Sequence, residues 1–370
     1  MKRVLILIPR MGGGGAERVV SIMANKLSEK YLIQITTLVS NESFYPLSNR
    51  VNFTSALYKI NRLNKMTRII SMGVNFISSI FFTRKTIKEY QPDIVFSLLE
   101  EMDIVTYLAT RNLSSIKWIC SERNDPTKRN VKLQRILELI YQKSDMLICQ
   151  SSKVADYYSM VKRKVIIPNP VDFNNYPEVI EESNPPRIVS VGRLVAQKNM
   201  GLLIKAFSLI ADKYPDITLT IYGDGPERKK LEDLIANKKL QKRILLPGAR
   251  RDILNTIKDA AIFAFPTNYE GFPNVLIEAI AMGIPVISTD FATGIAKEIV
   301  DENVGVLVKC GDIGGFSNAI EKLLINETQR QHIRKFSRKA IEAFDIENVM
   351  AIWDKLFKEL LEGEHNVTKY

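Results

Sequence analysis

Residues 262–280 read IFAFPTNYEGFPNVLIEAI. The apolar run Ile262–Ala264 predicts a buried strand, and Pro266–Phe272 predicts a loop. Pro273 suits the first turn of a helix, where its missing N–H is no loss. Glu270 then stands in the loop, and Glu278 lies ~7 Å further along the helix at ~1.5 Å per residue. Free amides over Gly271–Val275, at the positive end of that helix, make an anion site between two carboxylates. Carboxylates flanking an anion site suit hydroxyls, and a sugar and a ribose joined through a diphosphate present that order of groups. Glu270 alone could be an ordinary helix-start glutamate. Glu278 fits that reading poorly, because it sits amid Val275, Leu276, Ile277, Ala279 and Ile280, and a carboxylate in an apolar helix needs a partner.

Outward from this stretch the same strand–turn–helix grammar repeats. Strands are expected at Arg3–Pro9, Ile33–Leu38, Ile94–Ser97, Lys117–Cys120, Met146–Cys149 and Val165–Ile167, then at Arg187–Val191, Thr218–Tyr222, Ile244–Leu246, Ile262–Ala264, Val286–Ser288 and Gly305–Val308. Short β-branched runs separated by amphipathic segments indicate an α/β protein with parallel sheets covered by helices. The polar, proline-bearing stretch 172–186 divides the two series and is the linker candidate. Two Rossmann-like domains are therefore expected, 1–172 and 173–345. From Asp312 onward the pattern is helical and ends with Ile346–Leu361. Its apolar positions Val349, Ile352, Trp353, Leu356, Phe357 and Leu360 do not say which domain this last segment packs on.

Composition narrows the function. The chain has 370 residues and a formal charge of +11, and the excess is all in its first half: 26 Lys and Arg against 15 Asp and Glu in residues 1–180, and 26 of each in 181–370. An anionic partner is implied for the first half. With three cysteines (Cys120, Cys149, Cys310) there is no disulfide framework, and a reducing cytoplasm is the expected compartment. With only His332 and His365, serine-hydrolase triads and histidine-rich metal sites are improbable. The start, Met1-Lys2-Arg3 and a short apolar run, leads to Pro9-Arg10 and glycines rather than a cleavage site, so a buried strand is expected there rather than a signal peptide.

Two further loops hold candidate site residues. Gly12, Gly13, Gly14 and Gly15 follow the first strand and open a helix, where backbone amides can approach an anion. They do not form a dinucleotide fingerprint, because Glu17 and Arg18 stand where its last glycine would fall. After Arg187–Val191 comes Gly192-Arg193-Leu194-Val195-Ala196-Gln197-Lys198-Asn199. Arg193 and Lys198, five residues apart at a strand's C-terminal edge, are suited to clamp a diphosphate.

Segment 59–90 stands apart. Lys59, Arg62, Lys65 and Arg68 precede the uncharged run Ile69–Phe82, and Arg84, Lys85 and Lys88 follow it. Fourteen residues are too few for the ~20 that span a bilayer. The segment is either a basic-flanked helix lying in a membrane interface or a long core helix with solvated ends.

The glycine-rich turn, VGRLVAQKN (191–199), YGDGPE (222–227) and EGFPNVLIEAIAMGIPVIST (270–289), in this order and spacing, resemble family 4 glycosyltransferases of the GT-B fold, over essentially the whole chain. Within that family the chain is similar to bacterial N-acetylhexosaminyl transferases that extend undecaprenyl-diphosphate-linked sugars in O-antigen and related glycan assembly. The resemblance implies two Rossmann-like domains facing across a cleft, with residues 346–370 able to return to the N-terminal, acceptor- and membrane-facing one. It implies transfer with retention from a UDP-sugar. Arg193 and Lys198 would stabilise the departing diphosphate, Glu270 would hold donor-sugar hydroxyls, and Glu278 the ribose. Gly192, Gly223, Gly271, Phe272, Pro273, Asn274 and Val275 would complete the donor site, with Gly12–Gly15 near phosphate and acceptor. Many members carry a histidine after the strand matching Lys117–Cys120; this chain has Ser121-Glu122-Arg123-Asn124-Asp125-Pro126, with Arg123 near that place.

The expected activity is transfer of N-acetylgalactosamine, then in order of preference N-acetylglucosamine, galactose or glucose, from a UDP-sugar to an undecaprenyl-diphosphate-linked sugar at the cytoplasmic face of the inner membrane. Glu270 could instead be read as a nucleophile, by analogy with retaining glycosidases. No cofactor is expected, and metal independence follows from the lack of a DxD acid pair. A non-hydrolysing UDP-sugar epimerase of the same fold is the alternative. Nucleic-acid binding is disfavoured, since aromatic-interleaved basic patches are absent.

Overall fold

The computed structural model describes residues 1–58, 65–113, 116–177 and 180–362, without the side chains of 65–68 and 175. Lys59, Arg62 and His365, and the side chains of Lys65 and Arg68, lie outside the described residues. The chain divides into two compact units, Met1–Pro170 with Glu347–Tyr370, and Val171–Ile346.

In the first unit, β1 (Arg3–Leu7) leads through α1 (Gly15–Leu27) to β2 (Leu32–Thr37) and β3 (Val51–Ser55). Then follow α2 (Lys65–Tyr90), β4 (Ile94–Leu98), α3 (Glu100–Thr110), β5 (Lys117–Ser121), α4 (Val131–Tyr141), β6 (Met146–Cys149), α5 (Ser152–Tyr157) and β7 (Lys164–Ile166). The sheet is parallel, in the order β3-β2-β1-β4-β5-β6-β7. Strands buried on both faces must be apolar throughout, as the fully buried Val4–Ile8 shows. Strand β3 escapes the sequence pattern because it is an edge strand, VNFTS, with only alternate residues turned inward. The order reverses between β1 and β4, and ligands of such sheets bind beyond the C-terminal strand ends near that reversal.

The second unit holds β8 (Arg187–Val191), α6 (Met200–Ile210), β9 (Thr218–Tyr222), α7 (Arg228–Asn237), β10 (Ile244–Gly248), α8 (Ile253–Ile257) and β11 (Ile262–Phe265). It continues with α9 (Asn274–Ala281), β12 (Val286–Asp290), α10 (Ile295–Ile299), β13 (Gly305–Lys309), α11 (Ile313–Ile325) and α12 (Glu327–Ala340). Its parallel sheet runs β10-β9-β8-β11-β12-β13, so the reversal falls between β8 and β11. Helix α9 starts one residue later than the sequence suggests, because Pro273 is its N-cap, with ψ of 65°.

The stretch 172–186 is not a free linker. Glu182 is held by Arg330 and Arg334 of α12, the backbone carbonyls of Pro177 and Ile180 accept from Arg338 and Arg334, and Ser183 N–H donates to Asp259 O. Its polar composition supplies acceptors for buried arginines rather than freedom to move.

The last helix, α13 (Ile346–Glu362), packs from Glu347 onward on the first unit. Trp353 meets Phe96 of β4 with ring centroids 4.9 Å apart, and Phe357 meets Tyr31 at 5.3 Å. Asp354 accepts from Tyr31 Oη at 2.7 Å and Lys30 Nζ at 3.0 Å.

Helix α2 is not a core helix. Ile69, Ile70, Met72, Val74, Phe76, Ile77 and Phe81 are all exposed, while Ser79, Thr83, Thr86 and Ile87 face inward. No helix among the described residues is long and apolar enough to cross a membrane.

Candidate functional site

Strands β8 and β11 are neighbours at the sheet reversal, and the loops leaving their C-terminal ends, 192–199 and 266–273, are sewn together. Asn268 N–H donates to Gln197 O at 2.8 Å, Asn268 Nδ2 to Ala196 O at 2.9 Å, and Gln197 Nε2 to Tyr269 O at 2.9 Å. At their centre Lys198 Nζ lies 2.6 Å from Glu270 Oε1. Thr267 Oγ1 donates to the same oxygen at 2.7 Å, and Gln197 Nε2 reaches Glu270 Oε2 at 3.3 Å. Glu270 is 6% exposed. Lys198 also sits over the ring of Phe265, 5.0 Å from its centroid. Arg193 is exposed and makes no ion pair among the described residues. The two loops thus present one half-buried ammonium tied to a carboxylate and one free guanidinium. The sequence reading did not single out Gln197 and Thr267, the two neutral groups that fix Glu270. Their only signal was position, one beside Lys198 and one three residues before Glu270.

Asn274 N–H turns back to Phe272 O at 3.1 Å, so it is not among the free amides expected over Gly271–Val275. The amides of Gly271, Phe272 and Val275 donate to no acceptor among the described residues. They remain as an anion nest at the start of α9. Glu278 lies within α9, 6% exposed. Phe272 and Pro273 are buried, the Phe272 ring 6.0 Å from Phe344.

Gly223 and Gly192 have packing reasons to be glycine. Gly223 has φ +138°, and a Cβ there would stand 1.9 Å from Gly192 O. A Cβ on Gly192 would press on Met200 Cε at 3.3 Å and on the Lys198 stem at 3.4 Å. The lysine that meets Glu270 therefore lies across a bare backbone.

In the first unit, the glycines after β1 differ among themselves. A Cβ on Gly14 would fall 2.3 Å from Glu17 Oε2, whereas Gly12 has nothing within 4 Å and Gly13 only the Phe44 ring at 3.6 Å. Glu17, in the first turn of α1, turns its carboxylate toward the Gly14 N-cap, and Gly15 is the first helical residue. The loop after β5 is anchored by Arg129, whose Nη1 and Nη2 each donate to Glu122 at 2.8 Å. Beside that fork Arg123 is buried, its Nη1 donating to Asn169 Oδ1. The three cysteines are free thiols, Cys120 and Cys149 buried in the first unit, and Cys310 with its Sγ 3.3 Å from Asp290 O. His332 stacks on Phe336 in α12.

Residues 172–340 match the family Glycosyl transferases group 1. The chain is 28% identical to the GalNAc-α-(1→4)-GalNAc-α-(1→3)-diNAcBac-PP-undecaprenol α-1,4-N-acetyl-D-galactosaminyltransferase of Campylobacter jejuni, over 97% of this chain and 99% of that one. Its structure superposes on sucrose-phosphate synthase from Thermosynechococcus elongatus with a TM-score of 0.82, at 17% identity over 98% of this chain and 100% of the other. It superposes on HepE of Anabaena in complex with UDP with a TM-score of 0.75, at 16% identity over 97% and 100%. The group 1 glycosyltransferase match thus spans nearly all of the second unit, and the chain has the GT-B fold end to end.

Proposed function

We propose that the protein is a retaining transferase that moves N-acetylgalactosamine from its UDP derivative to an undecaprenyl-diphosphate-linked sugar in surface-glycan assembly. The observation that carries this is the Lys198–Glu270 contact beside the unengaged amides of Gly271, Phe272 and Val275. A cation on one loop, and a nest of N–H donors with a hydroxyl-accepting carboxylate on the loop joined to it, supply the groups a nucleoside diphosphate sugar needs. The Campylobacter relative's name supplies the sugar and the lipid diphosphate, and the Anabaena neighbour's title supplies UDP.

Arg193, Lys198 and the start of α9 stabilise the negative charge that builds on the departing diphosphate. Glu270, fixed by Thr267 and Gln197, accepts from sugar hydroxyls, and Glu278 accepts from the ribose. The departing phosphate oxygen takes the acceptor's proton as the acceptor attacks from the same face. Gly12, with open space around it, Gly13, beside the Phe44 ring, and Arg123 belong to the acceptor half. The reaction is independent of metal: EDTA leaves the rate unchanged, and loss restored by magnesium would contradict this.

The first unit works at an anionic membrane on the cytoplasmic side. Seven apolar side chains of α2 are exposed beside Lys85 and Lys88. Val131, Ile136 and Leu139 of α4 are exposed among Lys132 and Arg135, with α3 packed against both helices. Apolar faces rimmed by cations suit the lipid interface.

The test is a screen of UDP-sugars against a polyprenyl-diphosphate-linked acceptor, reading product mass and anomeric configuration. An α-linked N-acetylhexosamine product formed only with acceptor present is the expected result. Epimerised donor without acceptor would establish the epimerase instead.

A further inference from the structure

The loop after β5 contains three buried polar atoms that lack a hydrogen-bond partner among the described residues: Ser121 Oγ, Arg123 Nε and Asp125 Oδ2. Folded proteins leave few such atoms, and each calls for an explanation. Three within five residues, at the C-terminal end of a central parallel strand, mark a place built for a partner from outside.

Arg123 is the decisive member. It is 9% exposed, and its Nη1 donates to a neutral oxygen, Asn169 Oδ1. It makes no ion pair among the described residues, and its Nε–Nη2 edge, the edge that grips two oxygens side by side, donates to nothing there. Burial lowers the guanidinium to about 10, opposed only by the field of Asp103. Glu122 and Asp103 are committed elsewhere, and Asp125, whose Oδ1 accepts from Thr127, makes no ion pair with Arg123. Glu122 is gripped at both oxygens by Arg129, and Asp103 accepts from Ser97 Oγ at 2.6 Å and Tyr141 Oη at 3.2 Å. A second donor converges on the same spot: Gln150 Nε2 reaches Asn169 Oδ1 at 2.6 Å. Arg123, Gln150 and Asn169 follow β5, β6 and β7, three adjacent strands, so they meet at the sheet edge where α/β proteins bind ligands.

We propose that Arg123 and Gln150 form an oxyanion-receiving site of the first unit, in which the free edge of Arg123 takes two oxygens of a phosphate or a sugar carboxylate while Asn169 fixes the guanidinium's orientation. A buried guanidinium without a counter-charge is poor for stability and well prepared for an anion. The proposal deepens the transferase reading and rests on it for the natural source: the diphosphate of the lipid-linked acceptor or an acidic sugar in it.

The experiment uses the full chain. UDP affinity is measured first, so that failure of the donor reading shows separately. With UDP at saturation, inorganic pyrophosphate and glucuronate are then titrated in parallel by calorimetry. The wild type is expected to bind one of them, and Arg123→Met to weaken that binding about tenfold or more. Arg123→Lys keeps the charge but loses the fork, and is expected to fall between the two. Removing an uncompensated buried charge should leave the Tm of Arg123→Met equal to or above that of the wild type. Loss for pyrophosphate assigns the phosphate source, and loss for glucuronate assigns the carboxylate. The proposal is overturned if the wild type binds neither anion, or if both variants bind as the wild type does. A lowered Tm with unaltered affinity would make Arg123 a structural residue.

Discussion

Lys198 Nζ and Glu270 Oε1 are 2.6 Å apart, with both side chains largely buried. The Lys198 ammonium thus already balances the carboxylate. Lys198→Ala leaves Glu270 beside Thr267 and Gln197 without a counter-charge, which costs about 3 kcal/mol or more for a buried pair. The variant should therefore lose both turnover and Tm. The double variant Lys198→Met/Glu270→Gln should recover the Tm but not the activity, with a coupling of about 1–3 kcal/mol in a double-mutant cycle. Purely additive stabilities would show that the contact is not maintained in solution.

Glu278 is 6% exposed within the apolar α9. Its proposed role is with the ribose, so Glu278→Gln should weaken UDP binding about tenfold while the sugar preference among donors stays the same. Calorimetry with UDP measures the first and competition between donors the second. Unchanged UDP affinity would remove Glu278 from the ribose.

Gly223 and Gly12 should respond oppositely to a single methyl group. Gly223→Ala sets a Cβ against Gly192 O at φ +138° and should cost more than about 1 kcal/mol, read by urea denaturation. Gly12→Ala meets open space and should stay within about 0.5 kcal/mol of the wild type. An equal loss in both would mean that the backbone around Gly223 relaxes freely.

The exposed face of α2 should matter for lipid and not for folding. Ile77→Ser with Phe81→Ser removes two side chains exposed by 57% and 69%, so Tm should hold while binding to anionic vesicles falls severalfold. Among the cations, Lys85 and Lys88 are the ones to change. Arg84 is unsuitable because its Nη1 caps the carbonyls of Ala109 and Arg111 at 3.0 Å. Undiminished vesicle binding in all these variants would move the membrane contact elsewhere.

Burial raises the Asp354 carboxyl, but Tyr31, Lys30 and Lys358 outweigh it and bring it down to about 2. A group depressed in the folded state stabilises fully above its ordinary value of 3.8, and this contribution fades as pH falls through about 2. The first unit should therefore lose stability between about pH 4 and pH 2, and Asp354→Asn should flatten that slope in acid denaturation. An identical slope in the variant would show that the α13 contacts do not hold the carboxylate.

Much of the architecture was written locally. Strands such as Val4–Leu7 and Ile262–Phe265 are buried on both faces, so each is a continuous apolar run that reads the same in any context. The loop after β11 was equally legible, because Glu270, Gly271, Pro273 and Glu278 lie within nine residues of one strand–loop–helix. Edge strand β3 was not, since only alternate residues face inward and VNFTS resembles a loop.

Local sequence dictates the α/β fold in two series of strands, the strand–loop–helix course from Ile262 to Ala281, and the concentration of positive charge in the first half. Long-range packing assigns α13 to its unit, because Trp353 has an apolar face but no label for its partner until Phe96 stands opposite. It likewise turns seven apolar side chains of Ile69–Phe82 outward, ties 172–186 to α12 through Glu182, and buries Arg123 beside Asn169 without an ion pair among the described residues. Periodicity and spacing record what a segment can do along its own axis. Pairings between residues remote in sequence depend on which strands lie side by side, and that becomes fixed only when the sheets form.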